Sequence, residues 1–530
     1  MNKKFIVLLI ACMMPLFSMA QNDTDTRWGD LGNGTFANPV LHADYSDPDI
    51  IRVGNKYYMT CSEFHYMGMP VLESTDMVNW TIVAQVYNQI NMDKFRTMQG
   101  YGDGTWAPAL RYHNGRFYIF VCMPNDGLFM TSAEHAEGPW EPLYQVKNIK
   151  GWEDPCPLWD EDGNAWLGRG KVGAGAIIIH RMSPDGKQIL DDGKVVYEGP
   201  VAEGTKFLKR DGYYYLSIPE GGVGTGWQMV LRSKNIYGPY EGKRVLEQGS
   251  TNVNGPHQGA LVDTPDGEWW FYHFQDRNPQ GRVVHLQPVK WQSDGFPTIG
   301  EDVDGNGIGE PMKIVSKPNT GTSEKPHHPQ TDDNFNGGKL GIQWQTNHNP
   351  QDGCISTSIR KGKLAIKATT AHNLYDAHNQ LTQKTMGYKG EVTVKLELRD
   401  MTNGQRAGLS CLGSMMAGAG IEKKNNGDTK NISEVYIEMN GMTTAIAQLK
   451  SKTKAIWIRL NIDGVNNKQQ FSYSTDGKTF TAIGKEFSEK SSGWKGSRVG
   501  LYSYTTKENN DGNAFFDDFT YKVDGPGQLK

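Results

Sequence analysis

The amino-acid sequence predicts an all-β protein, in which a five-bladed β-propeller is followed by a jelly-roll β-sandwich. One observation is a hairpin pattern that recurs five times in the first part of the chain. A second is the period-two alternation of apolar and polar residues in short segments of the second part. The third is a composition of 62 glycines and 11% aromatic residues with little helical periodicity. Such a composition is typical of a β-protein with many turns.

The chain has 530 residues and a formal net charge of -4. This length predicts two or three domains. The charge gives no reason to expect nucleic acid or an anionic membrane as a partner. We expect a signal peptide at residues 1–20, the propeller at 21–310, a linker at 311–331 and the sandwich at 332–530.

The first residues have the three parts of a secretory signal peptide. Lys3 and Lys4 form the basic start, an apolar run follows, and a small-residue motif ending at Ala20 is the cleavage site. The apolar run is too short to span a bilayer, and no other segment is long and apolar enough. We therefore expect export to the periplasm or the extracellular space. Lipid anchoring at Cys12 is the less favoured alternative, because the apolar run continues beyond it.

Cysteine usage points to neither a disulfide framework nor a metal site. Five cysteines remain after the expected cleavage, an odd number, and none has metal-ligand spacing. We expect most of them to be buried as small apolar residues. They are Cys61, Cys122, Cys156, Cys354 and Cys411.

Five copies of one pattern predict the blades. Each copy is an apolar stretch, a glycine-containing turn and a second stretch rich in aromatic residues. The copies are Ile50–Ser62, Ala109–Cys122, Pro157–Gly170, Lys206–Pro219 and Ala260–Phe274. Asn-Gly and Asp-Gly turns tolerate the positive φ that two-residue hairpins need. A second hairpin between successive copies gives four strands per period, the size of a propeller blade. A long β-sandwich is the alternative, and the regular recurrence disfavours it.

The stretch at residues 310–333 is rich in Pro, Thr, Ser and Lys, which predicts a linker or a strand that crosses between domains. Alternating segments beyond it predict the sandwich. They are Gly362–Thr370, Gly390–Leu398, Glu434–Gly441, Ala455–Gly464, Gln469–Gly477, Ser497–Thr505 and Asn513–Val523.

Three carboxylates occupy the same relative place in three of the copies. Asp47, Asp154 and Glu203 each lie just before a hairpin, beside a proline or glycine that restricts or frees the backbone. The innermost strands of a propeller line one channel, so we expect these acids to face a common pocket. One protonated and one ionised carboxyl suit glycoside hydrolysis, and repulsion between like charges produces that difference. A turn or capping role is the alternative for any single acid.

The stretches around these acids resemble the three acid motifs of glycoside hydrolase family 43. They read "NPVLHADYSDPDIIRVGNKYYM", "WEDPCPLWDEDGNAWL" and "EGTKFLKRDGYYYL". The part beyond the linker resembles the concanavalin-like sandwich attached to many members, so the resemblance covers nearly the whole mature chain. It implies a five-bladed propeller enzyme of the β-xylosidase and α-L-arabinofuranosidase type.

The resemblance also implies a role for each acid. Asp47 corresponds to the general base, Glu203 to the general acid, and Asp154 to the residue that sets the pKa and orientation of the acid. The family inverts anomeric configuration, which requires room for a water between base and acid. Asp44 and Asp49 match no functional position and are expected to be turn or structural residues.

Further residues are expected to shape the pocket. The resemblance implies that Trp106 stacks on a sugar ring, with a core tryptophan as the alternative. Phe64, His65 and Tyr66 follow the first hairpin and are expected beside the non-reducing end of the substrate. Arg282 matches a family arginine that pairs with the acids and with sugar hydroxyls, and a plain surface salt bridge is its alternative.

The resemblance leaves two functions open for His257, which begins the fifth copy. It would help to hold a central calcium through waters, or contact substrate; a hydrogen-bonded structural histidine is the alternative. No cofactor is required, and structural Ca²⁺ is the one metal considered. The acidic turn at Asp302–Gly307 lacks the glutamate of a calcium loop and is expected to be polar surface. Glu153, beside Asp154, is expected to face away from the acids.

Together these features predict an exported, exo-acting, inverting glycoside hydrolase. It would release terminal β-D-xylose or α-L-arabinofuranose from plant oligosaccharides or polysaccharides. A glycosidase for galactosides and a non-catalytic carbohydrate-binding propeller are the alternatives, and the presence of all three acids argues against the second. The invertase-like group is disfavoured, because its Asn-Asp-Pro-Asn and Arg-Asp-Pro signatures read "SDPD" and "WEDP" here.

Overall fold

The computed structural model describes residues 27–426, 430–490, 495–508 and 511–529. The expected signal peptide, with Cys12, lies outside the described residues. Within the described part of the chain, no helix is long and apolar enough to cross a bilayer. A short helix, α1, spans Asp93–Arg96, and strands supply almost all other regular structure of these residues. The all-β prediction is confirmed.

Five four-stranded antiparallel sheets form the blades of the propeller, and the strands of each blade follow one another in chain order. The strands up to the end of the second blade are β1 Gly29–Asp30, β2 Thr35–Ala37, β3 Asp49–Val53, β4 Lys56–Thr60, β5 Tyr66–Met67, β6 Pro70–Ser74, β7 Thr81–Gln85, β8 Trp106–His113, β9 Arg116–Met123, β10 Gly127–Ala133 and β11 Tyr144–Lys147. The third to fifth blades contain β12 Trp152–Trp159, β13 Ala165–Lys171, β14 Ala176–Met182, β15 Lys194–Glu198, β16 Lys206–Arg210, β17 Tyr213–Glu220, β18 Trp227–Ser233, β19 Glu241–Leu246, β20 Leu261–Asp263, β21 Trp269–Asp276, β22 Arg282–Trp291 and β23 Pro297–Ile299. The innermost strands meet around the centre, where β3 contacts β20 and β8, and β12 contacts β8 and β16.

The turns of the second to fifth repeated hairpins are of two kinds. Asn114-Gly115 and Asp211-Gly212 have positive φ at both residues, as tight two-residue hairpins require. In the third and fifth copies the turn is longer. There the N–H of Asp160 donates to the carbonyl of Asn164, and that of Thr264 to Glu268. A single positive-φ glycine closes each longer turn, Gly163 or Gly267, instead of a two-residue pair.

The first and fifth blades contact each other, and neither contributes a strand to the sheet of the other. Leu41 forms an isolated antiparallel bridge with Val284 of β22. Arg52 of β3 and Asp263 of β20 form a salt bridge of 2.6 Å. The next strand, β24 at Ile314–Ser316, returns to pair with β2. The expected linker therefore contains a strand that runs back against the N-terminal residues of the propeller.

Two sheets form the sandwich. Its strands are β25 Gln345–Asn347, β26 Ile355–Ser356, β27 Leu364–Lys367, β28 Thr369–Thr370, β29 Leu381–Lys384, β30 Lys389–Glu397, β31 Gln405–Leu412, β32 Met416–Asn426, β33 Lys430–Met439, β34 Met442–Gln448, β35 Ala455–Asp463, β36 Lys468–Ser474, β37 Thr481–Phe487, β38 Arg498–Thr505 and β39 Asn513–Val523. One sheet has the order β34-β33-β32-β31-β38-β29-β25-β5, with β28 beside β38, and the other has the order β26-β27-β39-β30-β35-β36-β37. Alternate residues of β30 are buried, among them Val392, Val394 and Leu396, which is the period expected of a strand that covers a core on one face.

The sandwich and the propeller share one sheet. Strand β5 belongs to the propeller part of the chain, yet it pairs with β25 at the edge of the larger sandwich sheet.

The five cysteines predicted to be apolar are free and buried, in accordance with the expectation.

Candidate active site

The start of each innermost strand has the same backbone geometry in all five blades. In each blade, one residue at this point has positive φ, and because the five lie around the centre of the propeller we call their place the second ring position. The five residues are Asp47, Ala107, Asp154, Gly204 and Gln258, of which only Gly204 is a glycine. The residue before it, the first ring position, pairs with the second hairpin segment of its own blade. These residues are Ser46, Trp106, Glu153, Glu203 and His257. The predicted equivalence of the three acids therefore has a structural basis, although Glu203 lies one position before Asp47 and Asp154.

Asp47 is buried, and both of its carboxylate oxygens are bound. The Ser62 hydroxyl donates to Oδ2 at 2.5 Å. Arg282 donates to Oδ1 at 2.5 Å, and its guanidinium carbon lies 4.6 Å from the centre of the Phe274 ring. The guanidinium group thus compensates the charge of Asp47 directly.

Asp154 and Glu203 both lie in surroundings that favour the protonated carboxyl. Burial, and then the charges of Glu203 and Asp47, raise the pKa of Asp154 to about 7. The N–H of Gly204 donates to Asp154 Oδ2 at 2.7 Å, so Asp154 holds the backbone next to Glu203. Burial also raises the pKa of Glu203, with Arg282 acting in the opposite sense and Asp47 adding to the rise. The pair therefore retains a proton more readily than isolated carboxyls do.

The sequence comparisons identify the family. Residues 36–297 match the model of glycosyl hydrolases family 43, and residues 332–522 match that of the β-xylosidase C-terminal concanavalin A-like domain. A putative β-xylosidase of Xylanibacter ruminicola is 51% identical over 90% of this chain and 88% of its own. This chain belongs to glycoside hydrolase family 43. It is therefore a glycoside hydrolase, and the resemblance read from its acid motifs is confirmed.

Further relatives of this family 43 enzyme cover the chain almost completely. A β-xylosidase of Formosa agariphila is 37% identical over 94% of this chain and 92% of its own. Among solved structures, a family 43 enzyme engineered to show both endo-xylanase and exo-arabinofuranosidase activity superposes with a TM-score of 0.81. It is 26% identical to this chain, of which 92% is covered, and 99% of the engineered enzyme's own chain is covered.

Glu153 of the family 43 enzyme does not face away from the acids, and that expectation was wrong. Its side chain is buried, and the charges of Asp154, Glu203 and Asp47 act on it. The physical reason is the irregular register between Glu153 and Cys156, where Asp154 adopts a φ of +52°. A bulge of this kind re-aims neighbouring side chains and breaks simple alternation. The sequence did contain a signal that Glu153 faces the acids. Glu153 immediately precedes Asp154, just as Glu203 immediately precedes Gly204, and both following residues have positive φ.

The aromatic residues expected in the pocket fall into two groups. Trp106 is half-buried, with its ring centre 6.0 Å from that of Phe64 in an edge-on arrangement. The ring of His65 instead packs 5.0 Å from His348 of the sandwich. Tyr66 lies 4.1 Å beneath the guanidinium of Arg498, also from the sandwich. Therefore His65 and Tyr66 contribute to the contact between the domains.

His257 is buried in the first ring position. Its Nδ1 lies 2.6 Å from the carbonyl oxygen of Gly255, and its Nε2 has no hydrogen-bond partner among the described residues. Burial lowers the pKa of His257 to about 4, so the ring is neutral. Calcium prefers six to eight oxygen ligands. The described residues include no cluster of three or more His, Cys, Asp or Glu that could hold a metal directly, so a calcium held by His257 through waters stays a prediction.

Two nearby acids have structural contacts. Asp49 Oδ2 accepts hydrogen bonds from the N–H of Leu110 and from Arg111, each at 2.7 Å. Asp44 Oδ1 accepts from the N–H of Arg282 at 3.0 Å, and its Oδ2 accepts from the N–H of Gly496 at 2.7 Å. Asp44 thus links the sandwich to the arginine that pairs with the candidate base. Sequence reasoning missed this link, and also the role of Ser62, because a local motif does not show which side chains and backbone groups meet in the folded chain.

Proposed function

We propose that this family 43 enzyme is an exo-acting, inverting glycosidase that releases a terminal pentose from plant-derived oligosaccharides or polysaccharides. The observation that carries the proposal is the contrast between the buried carboxyl of Asp47 and the half-buried carboxyl of Glu203. Asp47 is paired with Arg282, whereas burial raises the pKa of Glu203. One acid is thereby suited to accept a proton and the other to donate one.

In this mechanism Asp47 removes a proton from a water molecule as its oxygen attacks the anomeric carbon. Glu203 gives its proton to the glycosidic oxygen as the carbon–oxygen bond breaks, so the sugar leaves with inverted configuration. Ser62 and Arg282 hold Asp47 in the orientation needed for attack. Asp154 fixes the backbone beside Glu203 through the Gly204 N–H, and repulsion between the two carboxyls keeps a proton available.

The relatives support the choice of substrate. The two described above are named β-xylosidases, one of them putatively, and a 27% identical protein of Bacteroides ovatus is a non-reducing end α-L-arabinofuranosidase. We therefore rank β-D-xylosides first and α-L-arabinofuranosides second. Trp106 and Phe64 are proposed to contact the sugar, because aromatic rings pack well against the apolar face of a pyranose or furanose. The charged and apolar start of the sequence supports export of the enzyme.

Hydrolysis of nitrophenyl β-D-xyloside, α-L-arabinofuranoside and galactosides by the purified protein tests this proposal, with NMR detection of the first-formed anomer. We expect pentoside hydrolysis with inversion. Asp47→Asn and Glu203→Gln should each lower kcat by about 10²–10⁴-fold, while Asp192→Asn on an exposed loop of the third blade leaves it unchanged. Retention of configuration, faster hydrolysis of galactosides, or wild-type rates in both acid variants would each overturn a stated part of the proposal.

A further inference from the structure

Glu153 occupies the ring position in the third blade that Glu203 occupies in the fourth. Both are the residue immediately before the positive-φ residue of their innermost strand. Gly170, which pairs with Glu153 across β12 and β13, lies between them. A Cβ atom on Gly170 would lie 3.5 Å from Cγ of Glu153 and 3.8 Å from Cα of Glu203. The Glu153 side chain therefore extends beside the backbone of the candidate acid.

The carboxyl group of Glu153 is incompletely satisfied. The residue is only 8% exposed, and its Oε1 is buried with no hydrogen-bond partner among the described residues. Its neighbours differ, since Asp47 has Ser62 and Arg282 as partners and Asp154 has the N–H of Gly204. A buried oxygen without a partner costs about 1–3 kcal/mol, so native proteins rarely leave one unless something binds there.

The chemistry around Glu153 favours a hydroxyl group as the missing partner. Burial, and then the charges of Asp154, Glu203 and Asp47, raise the pKa of Glu153 to about 9. A protonated carboxyl offers one O–H donor and a carbonyl acceptor, which match the donor and acceptor of a sugar hydroxyl. A divalent cation is a poorer match, because the described residues around these acids form no metal-binding cluster.

We propose that Glu153 is a substrate-contacting residue that hydrogen-bonds one hydroxyl of the bound glycoside and contributes to the choice of sugar. This inference rests on the proposed function for the location of the substrate. It assigns Glu153 no part in proton transfer, because Glu203 supplies the proton for the leaving group. Its effect is instead a difference in transition-state binding between glycosides that have the hydroxyl and glycosides that lack it.

A cycle of protein variants against deoxy substrates tests the contact. Glu153→Met removes the hydrogen-bonding groups and keeps a side chain of similar length, and Glu153→Ala is a second variant in case the first does not fold. Glu153→Gln keeps a donor and an acceptor. The control is Glu198→Met, an exposed glutamate on the outer strand of the same blade. The substrates are the nitrophenyl glycoside that the wild-type enzyme hydrolyses fastest and its singly deoxygenated analogues.

We expect Glu153→Met to lower kcat/KM for the parent glycoside by about tenfold to a hundredfold, and Glu153→Gln to lower it less. For one deoxy analogue, wild type and Glu153→Met should have equal kcat/KM, since the contact is already absent. The melting temperature of Glu153→Met should equal or exceed that of wild type, because a buried unsatisfied oxygen is removed. Glu198→Met should leave kcat/KM unchanged.

An equal loss for the parent and every deoxy analogue would overturn the inference, because a residue that only positions the acids affects all substrates alike. Loss of the same size in Glu153→Gln and Glu153→Met would also overturn it. If the fastest substrate is not a pentoside, the proposed function fails on that point, while the same cycle on that substrate still decides the role of Glu153.

Discussion

Replacing Glu63 by glutamine tests whether a buried ion cluster holds the propeller and the sandwich together. Glu63 follows the first hairpin of the propeller and is fully buried. Its Oε1 accepts a hydrogen bond from Lys384, and its Oε2 accepts one from Arg498 at 2.6 Å. Arg498 also donates to Gln345 at 2.6 Å. Both cations come from the sandwich, so the carboxylate joins the two domains.

The expected magnitude follows from the burial of all three charges. Arg498 is 1% exposed and Lys384 is 7% exposed, so water screens them little. Removing one partner of a buried ion pair costs about 3–5 kcal/mol, because the remaining charge stays buried without compensation. At about 2 °C per kcal/mol, the lower end of the range for domains of 150–250 residues, the melting temperature should fall by about 6–10 °C.

The Glu63→Gln substitution should also affect Asp47, the candidate base. Glu63 is the neighbour of Ser62, whose hydroxyl donates to Asp47 at 2.5 Å and accepts from the N–H of Ala107 at 2.7 Å. If loss of the ion cluster shifts this segment, kcat falls while KM changes little, because orientation of the base affects the chemical step.

Differential scanning calorimetry of wild type and Glu63→Gln measures the stability effect, and hydrolysis of the best nitrophenyl glycoside measures the kinetic one. Glu486→Gln is the matched control, because the same change removes a surface ion pair with Lys468. That control should melt with the wild type. A melting temperature of Glu63→Gln within 2 °C of wild type would refute the reasoning, since the buried pairs would then contribute almost no net stability.

Three further outcomes are expected. The raised pKa of Asp154 means that the stability linked to its protonated form is present below pH 3.8 and is lost as pH rises through about 7. The melting temperature of Asp154→Asn minus that of wild type should therefore increase from pH 3.8 to about pH 7. Melting temperatures of the two proteins that change in parallel over this range would contradict this. Gly104→Ala places a Cβ 1.6 Å from the carbonyl oxygen of Phe64 at a φ of +120°, so it should cost about 1–3 kcal/mol and lower kcat/KM, whereas Gly224→Ala, with open space around it, should do neither in the same assays. Because the five cysteines of the described residues are free and buried, reductant should leave the melting temperature unchanged, and a thiol reagent that modifies the folded enzyme rapidly would contradict this.

Local sequence features predicted the blades well, because they act over a few residues. Asn114-Gly115 and Asp211-Gly212 adopt the positive φ values that their turn type needs, and this requirement holds whatever surrounds the hairpin. Recurrence of the hairpin then predicted the number of blades. The three acids could be recognised because their places relative to the hairpins are nearly equivalent.

Simple alternation failed where the backbone departs from a regular strand. Glu153 and Asp154 would point to opposite faces of an undistorted strand, but the bulge at Asp154 removes that rule. The longer turns at Asp160–Asn164 and Thr264–Glu268 could not be distinguished from two-residue turns by their Asp-Gly dipeptides alone.

By itself, the sequence determined the fold class, the hairpins and the family, since each depends on short stretches read in order. Only the tertiary structure decided which partners those stretches meet. In the folded chain Arg282 donates a hydrogen bond to Asp47, and the Gly496 N–H donates one to Asp44. Tyr66 lies in a strand that pairs with the sandwich rather than in a free loop. Such contacts join residues far apart in the chain. They depend on how whole sheets pack and where buried charges find compensation, which no local pattern encodes.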